Sequence, residues 1–332
     1  MKNIVILCQS DFAGSGYATT CAINSIGKFN VRHISTSYHP FDFPYDIIIP
    51  CHQGIHKGSF AKDCKDYELV MQLLNEADLI HCWNDIPEDP KYFDFEKGNL
   101  YIPKNKPMVV TFTGSLYRNE HARLNVIIKE RGYKLVVQNP MLRYLDEIDS
   151  VFIPHAVDTK FLQPIQNKNN EKFTLGTYFG HYYATVGDDR NFLISCLQGK
   201  DINIIDHGTR KIPWKEHIEF IKNCDVFYHG IKISSIVGYI GRSSLECMAM
   251  KVPMITYVNE KESLKLSEGK IGDFIPVYNT TQEQLKEHLE RLIEDFDLRL
   301  ELSNKGREWV EKYFSYAIVG RFYSDMYEEV LK

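Results

Sequence analysis

The sequence predicts an α/β protein with two doubly wound, parallel-sheet domains. Short apolar runs rich in β-branched residues alternate with helical patterns along the chain, as in a parallel sheet covered by helices on both faces. The length of 332 residues is sufficient for two domains of ordinary size. A polar, turn-rich run over residues 163–172 interrupts this alternation, and a linker is expected there.

Composition and charge favour a globular protein of a reducing compartment. The hydrophobic share of 44% and the charged share of 25% are ordinary for such proteins. The net charge of −5 gives no general attraction to nucleic acid. The 8 cysteines are scattered without a Cys-x-x-Cys pair, which argues against a disulfide framework. The sequence shows neither a signal peptide nor a run as long as a membrane span, so a cytoplasmic location is expected.

The first domain is predicted to open with a strand, a glycine loop and a helix. The strand covers Ile4–Cys8, and the helix covers Tyr17–Lys28 with one closely packing face of small residues: Ala18, Cys21, Ala22, Ser25 and Ile26. Further elements are predicted at Asp46–Ile49, Tyr67–Asn75, Leu79–Cys82, Met108–Thr111, Lys134–Val137 and Val151–Ile153. His81 is expected to be a satisfied interior histidine rather than a catalytic one.

The glycine loop after the first strand contains Gly14 and Gly16. The third glycine of a dinucleotide-binding fingerprint is Thr19 here, and no acidic residue closes the next strand to hold a ribose. A nicotinamide dehydrogenase is therefore the least favoured class. Asp11 in this loop has two interpretations: it caps the loop, or it faces a ligand.

The most informative stretch is Val237–Thr256. A turn flanked by Gly238 and Gly241 precedes a short helical pattern, and Pro253 ends that pattern before the apolar run of a buried strand. A helix that begins after a glycine turn presents unpaired N–H groups, which together with the helix dipole favour phosphate. Glu246 lies just past the first turn, where a carboxylate can accept hydrogen bonds from sugar hydroxyls. The stretch predicts a phosphorylated ligand with hydroxyls beside the phosphate; the alternative is an ordinary βαβ crossover with a solvated Glu246.

This stretch resembles the donor-binding signature of retaining, nucleotide-sugar-dependent glycosyltransferases of the GT-B fold, in particular the large family 4. Glu246 corresponds to the second glutamate of that signature, and Gly238 replaces the first, which lies beside the transferred sugar in the family. The resemblance implies that Glu246 binds the nucleotide ribose. It also implies that the diphosphate is contacted at the helix start, by backbone N–H groups of Gly241, Arg242 and Ser243, and Gly238 and Ser244 are further donor-binding candidates.

Two other segments resemble the same family. Val151–Phe161 is similar to the segment that ends its first domain, and Gly306–Tyr327 is similar to its C-terminal region. The resemblance implies two Rossmann-like domains with a cleft between them and a C-terminal helix that crosses back to the first domain. The expected organisation is an acceptor-side domain over 1–155, a linker over 156–170, a donor domain over 171–314 and the C-terminal helix over 315–332.

The second domain carries the other donor-side candidates. Its strands and helices are predicted at Phe173–Phe179, Asn191–Leu197, Ile202–Ile205, Trp214–Lys222, Val226–His229 and Phe274–Val277. By resemblance, a cation after the first of these strands pairs with the donor diphosphate. Arg190 is the candidate, because a guanidinium binds phosphate oxygens bidentately, and an ion pair with Asp188 or Asp189 is the alternative. The remaining donor-side candidates are Gly14, Gly16, His181 and His229.

Two further patterns are expected to have no catalytic role. Asp295-Phe-Asp297 has the spelling of a metal-binding Asp-x-Asp, but it lies between helical segments without a companion ligand, so a turn and no metal site are expected. The basic run Leu116–Lys134 is expected to be a solvated helix face, and weak contact with a membrane surface is the alternative.

The resemblance implies a metal-independent, retaining, hexosyltransferase-type enzyme without a cofactor. The donor would be a nucleotide-diphosphate sugar, with UDP or GDP favoured, and the acceptor a hydroxyl group, most simply on a glycan. Arg190 and Glu246 are the expected catalytic residues, in electrostatic roles. Two alternatives stay open: a GT-B-shaped binding protein without turnover, suggested by Gly238, and a glucosyltransferase acting on modified DNA bases. No stable nucleic-acid partner is expected.

Overall fold

The computed structural model of the protein contains two compact units. The first unit is Met1–Ala156 together with Ser315–Lys332, and the second unit is Val157–Phe314. The structure describes residues 1–8, 11–49, 65–84, 86, 101–145, 148–165, 171–177, 186–206, 212–231 and 240–332, with the backbone alone at 12 and 186–190. No helix within these ranges is long and apolar enough to cross a membrane.

A parallel sheet forms the centre of the first unit. Its strands are β1 (Lys2–Cys8), β2 (Phe29–Ser35), β3 (Ile47–Ile48), β4 (Leu79–Trp83), β5 (Met108–Phe112), β6 (Lys134–Val137) and β7 (Val151–Phe152). Within the described residues they lie in the order β3-β2-β1-β4-β5-β6-β7, with every neighbouring pair parallel. The order changes direction between β1 and β4, and doubly wound sheets bind ligands outside the carboxyl ends of strands at such a point.

The helices described in the first unit are α1 (Ser15–Ile26), α2 (Tyr67–Glu76), α3 (Ser115–Arg131) and α10 (Tyr316–Val330). The helix α1 begins two residues earlier than predicted, because the Asp11 carboxylate accepts hydrogen bonds from the N–H groups of Gly16 and Tyr17, both at 2.8 Å. It ends at Ile26, because Gly27 adopts a left-handed φ of +75° that closes the helix.

The basic run of the sequence forms α3, and its charged residues face solvent. Leu124 and Ile128 are buried on the opposite side of the helix. Arg123 pairs with Glu120 one turn earlier, at 2.5 Å. This arrangement is the solvated helix face expected from the sequence.

The helix α10 packs closely on α1. A Cβ atom added at Gly320 would lie 2.2 Å from the carbonyl oxygen of Ala22 and 2.9 Å from a side-chain carbon of Ile26. The small face predicted for α1 is therefore what allows the two helices to approach. The aromatic side chains of Tyr323 and Tyr327 are fully buried and join α10 to the core of the first sheet.

His81 is enclosed in this core between α10 and β5. Its Nδ1 lies 2.6 Å from the hydroxyl oxygen of Tyr327, and its Nε2 lies 2.6 Å from Thr111 Oγ1. Burial lowers the pKa of His81 to about 3, so the ring stays neutral at physiological pH. The prediction of a satisfied interior histidine is confirmed.

We expect the first unit to lose stability as the pH falls below 6.5. The unfolded chain takes up a proton at His81 near that pH, whereas the folded chain takes it up only at about 3. The loss is about 1.4 kcal/mol for each pH unit within this window. His81→Gln removes the titrating group, so the stability of the variant should fall less over the same interval. Hydrogen exchange of peptides that span β4 measures both profiles, and identical slopes would contradict the prediction.

The second unit has its own parallel sheet. Its strands are β8 (Thr174–Thr177), β9 (Asn203–Asp206), β10 (Val226–Tyr228), β11 (Met254–Thr256) and β12 (Tyr278–Asn279). In the described part of the unit they lie in the order β12-β11-β10-β8-β9, again all parallel. The helices are α4 (Val186–Cys196), α5 (Trp214–Lys222), α6 (Arg242–Ala249), α7 (Glu260–Leu266), α8 (Leu285–Glu294) and α9 (Phe296–Tyr313).

Two predictions in this unit have different outcomes. The strand predicted at Phe274–Val277 is wrong: the strand lies at Tyr278–Asn279, and the N–H of Val277 instead bonds to the carbonyl of Ile275 in a tight turn. The turn predicted at the Asp-x-Asp pattern, residues 295–297, lies at the boundary between α8 and α9. Asp295 Oδ1 accepts a hydrogen bond of 2.8 Å from the N–H of Leu298 and caps α9.

A buried arginine fixes the carboxyl end of α6. Arg307 donates hydrogen bonds to the carbonyl oxygens of Thr159, Leu162 and Ala249, the last of which is the final residue of α6. Its Nε also lies 2.6 Å from a carboxylate oxygen of Glu311. Because these bonds satisfy a buried charge on several sides, α6 is held against α9 and the segment that follows Val157.

Candidate functional site

Among the described residues, nothing covers the amino end of α6. Gly241 precedes the helix in an extended conformation, and no side chain of the described ranges caps the helix. A Cβ atom added at Gly241 would meet no described atom within 4 Å. The first N–H groups of a helix have no intrahelical partner, so this end offers hydrogen-bond donors and the positive end of the helix dipole to an anion.

Glu246 lies one turn into α6 and is buried, with 3% of its surface exposed. Its Oε1 accepts hydrogen bonds from Trp214 Nε1 at 2.9 Å and from Arg242 Nε at 3.0 Å. Burial raises the pKa of Glu246, and the charge of Arg242 and the hydrogen bond from Trp214 oppose that rise. The alternative of a solvated Glu246 is therefore wrong: the carboxylate is held by two donors.

Trp214 is the residue of this site that sequence reasoning missed. It begins α5, and its ring stacks on Phe161 with 5.4 Å between the ring centroids and 27° between the planes. The guanidinium of Arg242 lies 5.9 Å from the Trp214 ring centroid. Phe161 is 52% exposed, so an aromatic pair with an accessible face stands beside the carboxylate. Nothing in the local pattern of α5 indicates this pairing, because Trp214 and Glu246 are 32 residues apart.

The structure brings His229 and Ser243 together. His229 follows β10, and its Nε2 lies 3.2 Å from Ser243 Oγ at the start of α6. The next hydroxyl along the helix, Ser244 Oγ, is buried and has no hydrogen-bond partner among the described residues. Six of the donor-side candidates therefore lie in the first turns of α6 or directly beside them: His229, Gly241, Arg242, Ser243, Ser244 and Glu246.

The other predicted site residues lie away from α6 or outside the residues that the structure describes. Arg190 is the fifth residue of α4, of which the backbone alone is described at that position. His181 and Gly238 are outside the described residues. Gly14 and Gly16 belong to the first unit, in the loop between β1 and α1.

The glycine loop is held by a buried carboxylate. Asp11 accepts the two N–H groups at the start of α1, which confirms the capping interpretation of this residue. Gly14 has a left-handed φ of +59° at the turn into the helix, a conformation that favours glycine. A Cβ atom at Gly16 would lie 2.8 Å from Cys8 Sγ, 3.2 Å from Asp11 Oδ1 and 3.2 Å from His33 Nε2, so the loop packs without room for a side chain.

Cys8, Asp11 and His33 form the metal-compatible cluster of the described residues. One ligand-type atom from each lies within 4.8 Å of the others, and all three residues are buried. His33 Nε2 is 3.4 Å from both Cys8 Sγ and Asp11 Oδ2. Burial lowers the pKa of His33, so the imidazole is neutral and able to act as a ligand. Both oxygens of Asp11 already accept hydrogen bonds from N–H groups of α1, so Asp11 has a structural role as the cap of that helix.

The chain is similar in sequence to a curated glycosyltransferase. The capsular polysaccharide biosynthesis glycosyltransferase CapM of Staphylococcus aureus is 23% identical over 279 residues, which are 83% of this chain and 70% of CapM. No protein-family model matches the chain.

Solved structures of the same architecture cover the whole chain. An α-glucosyltransferase in complex with UDP and a 13-mer DNA with a central A:G mismatch superposes with a TM-score of 0.62, at 10% identity over 100% of both chains. Anabaena HepE in complex with UDP-glucose gives a TM-score of 0.60, at 13% identity over 99% of this chain and 100% of HepE. A glycosyltransferase of Rickettsia africae gives 0.57, at 14% identity over 100% and 99% of the two chains.

The fold is GT-B. The predicted fold class, two parallel-sheet α/β domains of this type, is thereby confirmed. The amino end of α6 belongs to the second unit and lies between β10 and β11 in the chain. Open α/β sheets bind ligands outside the carboxyl ends of their strands, so the residues around α6 form the candidate functional site.

Proposed function

We propose that the protein is a retaining glycosyltransferase that takes its sugar from a nucleotide-diphosphate donor. The observation that carries the proposal is the combination at α6 of an uncapped helix start, at Gly241, with a buried carboxylate, Glu246, one turn later. The helix start suits the diphosphate and the carboxylate suits the ribose hydroxyls. Similarity to CapM and the UDP-bound relatives of the same fold support this assignment and favour UDP.

The proposed reaction breaks the bond between the anomeric carbon and the diphosphate oxygen and forms a bond to the acceptor hydroxyl oxygen. The acceptor proton passes to the departing diphosphate, and the new bond forms on the face that the diphosphate leaves. Negative charge develops on the diphosphate in this step, and the N–H groups at the start of α6 stabilise it together with Arg190. His229 and Ser243 stand beside these groups and orient the phosphate. Neither a metal nor a protein nucleophile has a part in this scheme.

The alternatives differ in the acceptor and in turnover. The α-glucosyltransferase bound to DNA favours a DNA-base acceptor as the second candidate. Such an enzyme would bind duplex DNA in a salt-sensitive manner. A binding protein without turnover would bind the nucleotide sugar and release neither free sugar nor a glycosylated product.

Gly241→Ala tests the donor site without disturbing the fold. Its backbone is extended and the added Cβ meets no atom of the described residues within 4 Å, so we expect stability to be unchanged. The methyl group would stand where the phosphate approaches the helix, and we expect the affinity for UDP-glucose to fall about tenfold or more, which is about 1.4 kcal/mol. Calorimetric titration with UDP-glucose, GDP-mannose and ADP-glucose measures this loss and identifies the nucleotide.

The matched control is Asn259→Ala, at the start of α7 in the same unit, where the side chain makes no capping hydrogen bond. It should leave nucleotide affinity unchanged. The proposal fails if none of the three donors binds, or if the Gly241→Ala variant binds the donor as tightly as the native protein does. In either case α6 has only a structural role. The anomeric configuration of the product, measured by proton NMR, decides retention.

A further inference from the structure

An exposed cluster of aromatic rings follows β2 in the first unit. We name residues 36–46, which connect β2 to β3, the aromatic loop. Its rings contact one another. Tyr38 and Tyr45 meet edge to face with 6.1 Å between the ring centroids. The centroid of the His39 ring lies 4.9 Å from that of Phe41 and 5.0 Å from that of Phe43. Tyr38 is 48% exposed and Tyr45 is 41% exposed. Large exposed apolar surfaces on a globular protein generally mark binding sites.

The aromatic loop is anchored at both ends. At its start, the N–H of Thr36 bonds to the carbonyl of Cys8, the last residue of β1, at 2.9 Å. At its end, Asp46 accepts two hydrogen bonds from Arg32, at 2.5 and 3.1 Å. The loop therefore begins at the carboxyl ends of β1 and β2, the side of the sheet that also carries the glycine loop. A ligand of the first unit is expected on this side.

The charge of the aromatic loop argues against a polyanion as its ligand. No Lys or Arg lies between His33 and Asp46, and the loop itself contains Asp42, which is exposed. Phosphate-rich ligands are held by Lys and Arg, and the loop supplies neither. A neutral ligand with an apolar face and polar edges suits tyrosine rings, which present an apolar body and a polar hydroxyl tip.

We propose that the aromatic loop is the acceptor platform of the enzyme and takes a neutral glycan, whose pyranose rings lie on Tyr38 and Tyr45. This inference rests on the proposed transferase function, and it narrows the acceptor from any hydroxyl compound to an uncharged oligosaccharide. The C–H groups on one face of a pyranose carry partial positive charge and meet the negative face of the aromatic ring. The sugar hydroxyls at the ring edge remain available to the tyrosine hydroxyls and to water.

Binding of maltotetraose, cellotetraose and chitotetraose, measured by saturation-transfer NMR, tests the platform. We expect at least one tetrasaccharide to bind the native protein and the double variant Tyr38→Ala/Tyr45→Ala to bind it about tenfold more weakly. The variant Tyr38→Phe/Tyr45→Phe keeps both rings and should bind within about twofold of the native protein. Tyr101→Ala removes another tyrosine of the same unit, 60% exposed, and should have no effect.

Donor titration with the same variants separates this inference from the function on which it rests. The double alanine variant should bind the nucleotide sugar as the native protein does, because the loop belongs to the first unit and the donor residues around α6 to the second. If the native protein binds a donor but no tetrasaccharide, or if the double alanine variant binds the tetrasaccharide normally, the platform is overturned and the transferase function stands. If a 13-base-pair duplex binds and the double variant loses that binding, the acceptor is nucleic acid and the platform is likewise overturned. If no donor binds, the function itself fails.

Discussion

Replacing Glu246 with alanine is expected to weaken binding of the nucleotide-sugar donor about ten- to a hundredfold, since a charged hydrogen-bonding group contributes about 1.5–3 kcal/mol. The carboxylate is buried, and its Oε1 is already held by Trp214 and Arg242. These two donors orient the second carboxylate oxygen for the ribose hydroxyls under the proposed function. The alanine variant loses this acceptor and leaves the Arg242 charge without its carboxylate partner in α6.

Calorimetry with the preferred donor measures the loss, and urea unfolding of the second unit measures the structural effect. Trp214→Phe is the matched control, because it removes the indole N–H and keeps both a ring and the Glu246 carboxylate. It should reduce stability with a much smaller change in donor affinity. If Glu246→Ala lowers the free energy of unfolding and leaves donor affinity intact, Glu246 only clamps α5 to α6 and its proposed role is lost.

Gly320→Ala is expected to destabilise the first unit by about 3 kcal/mol, although alanine is the better helix former by about 1 kcal/mol. The added Cβ would lie 2.2 Å from the carbonyl oxygen and 2.7 Å from the carbonyl carbon of Ala22. Both are backbone atoms of α1 and cannot rotate away, so the two helices must separate. The buried Tyr323 and Tyr327 of α10 would lose packing as they do.

Thermal and urea unfolding of the first unit measure this cost. Gly306→Ala in α9 is the matched control: its Cβ would meet the Met248 side chain at 3.1 and 3.2 Å, and a methionine side chain can move. We expect less than about 1 kcal/mol of destabilisation there. A Gly320→Ala variant as stable as the native protein would show that α10 does not pack on α1 at this distance.

The sequence predicts those elements of the fold that depend on local patterns of apolar, polar and small residues. The runs at Leu79 and Lys134 are apolar and short, and strands begin at both positions in the structure. The small residues of α1 predict a closely packed neighbouring helix, and that helix is α10, which approaches α1 at Gly320. The strand assigned to Phe274–Val277 fails because a two-residue strand such as Tyr278–Asn279 is too short to show any alternation of apolar and polar side chains.

The candidate site is less predictable, because its contacts join distant parts of the sequence. The open start of α6 is visible in the sequence as a glycine ahead of a helical pattern. The partner that fixes Glu246 is not, since Trp214 reads as an ordinary aromatic residue at a helix start. The contact between His229 and Ser243 is partly predictable. The resemblance implies that both residues lie near the donor, and the structure gives the distance of 3.2 Å between His229 Nε2 and Ser243 Oγ.

The division of the chain has a consequence for its synthesis. The first unit needs residues 316–330, whereas the second unit is the uninterrupted segment Val157–Phe314. During translation, the apolar face of α1 therefore waits for α10 while the whole second unit is made, roughly 10–30 s at ribosomal speed. The second unit can complete its core in that time, ahead of the first unit and in the reverse of the usual N-terminal-first order. In this interval the apolar face of α1 lacks its helix partner α10.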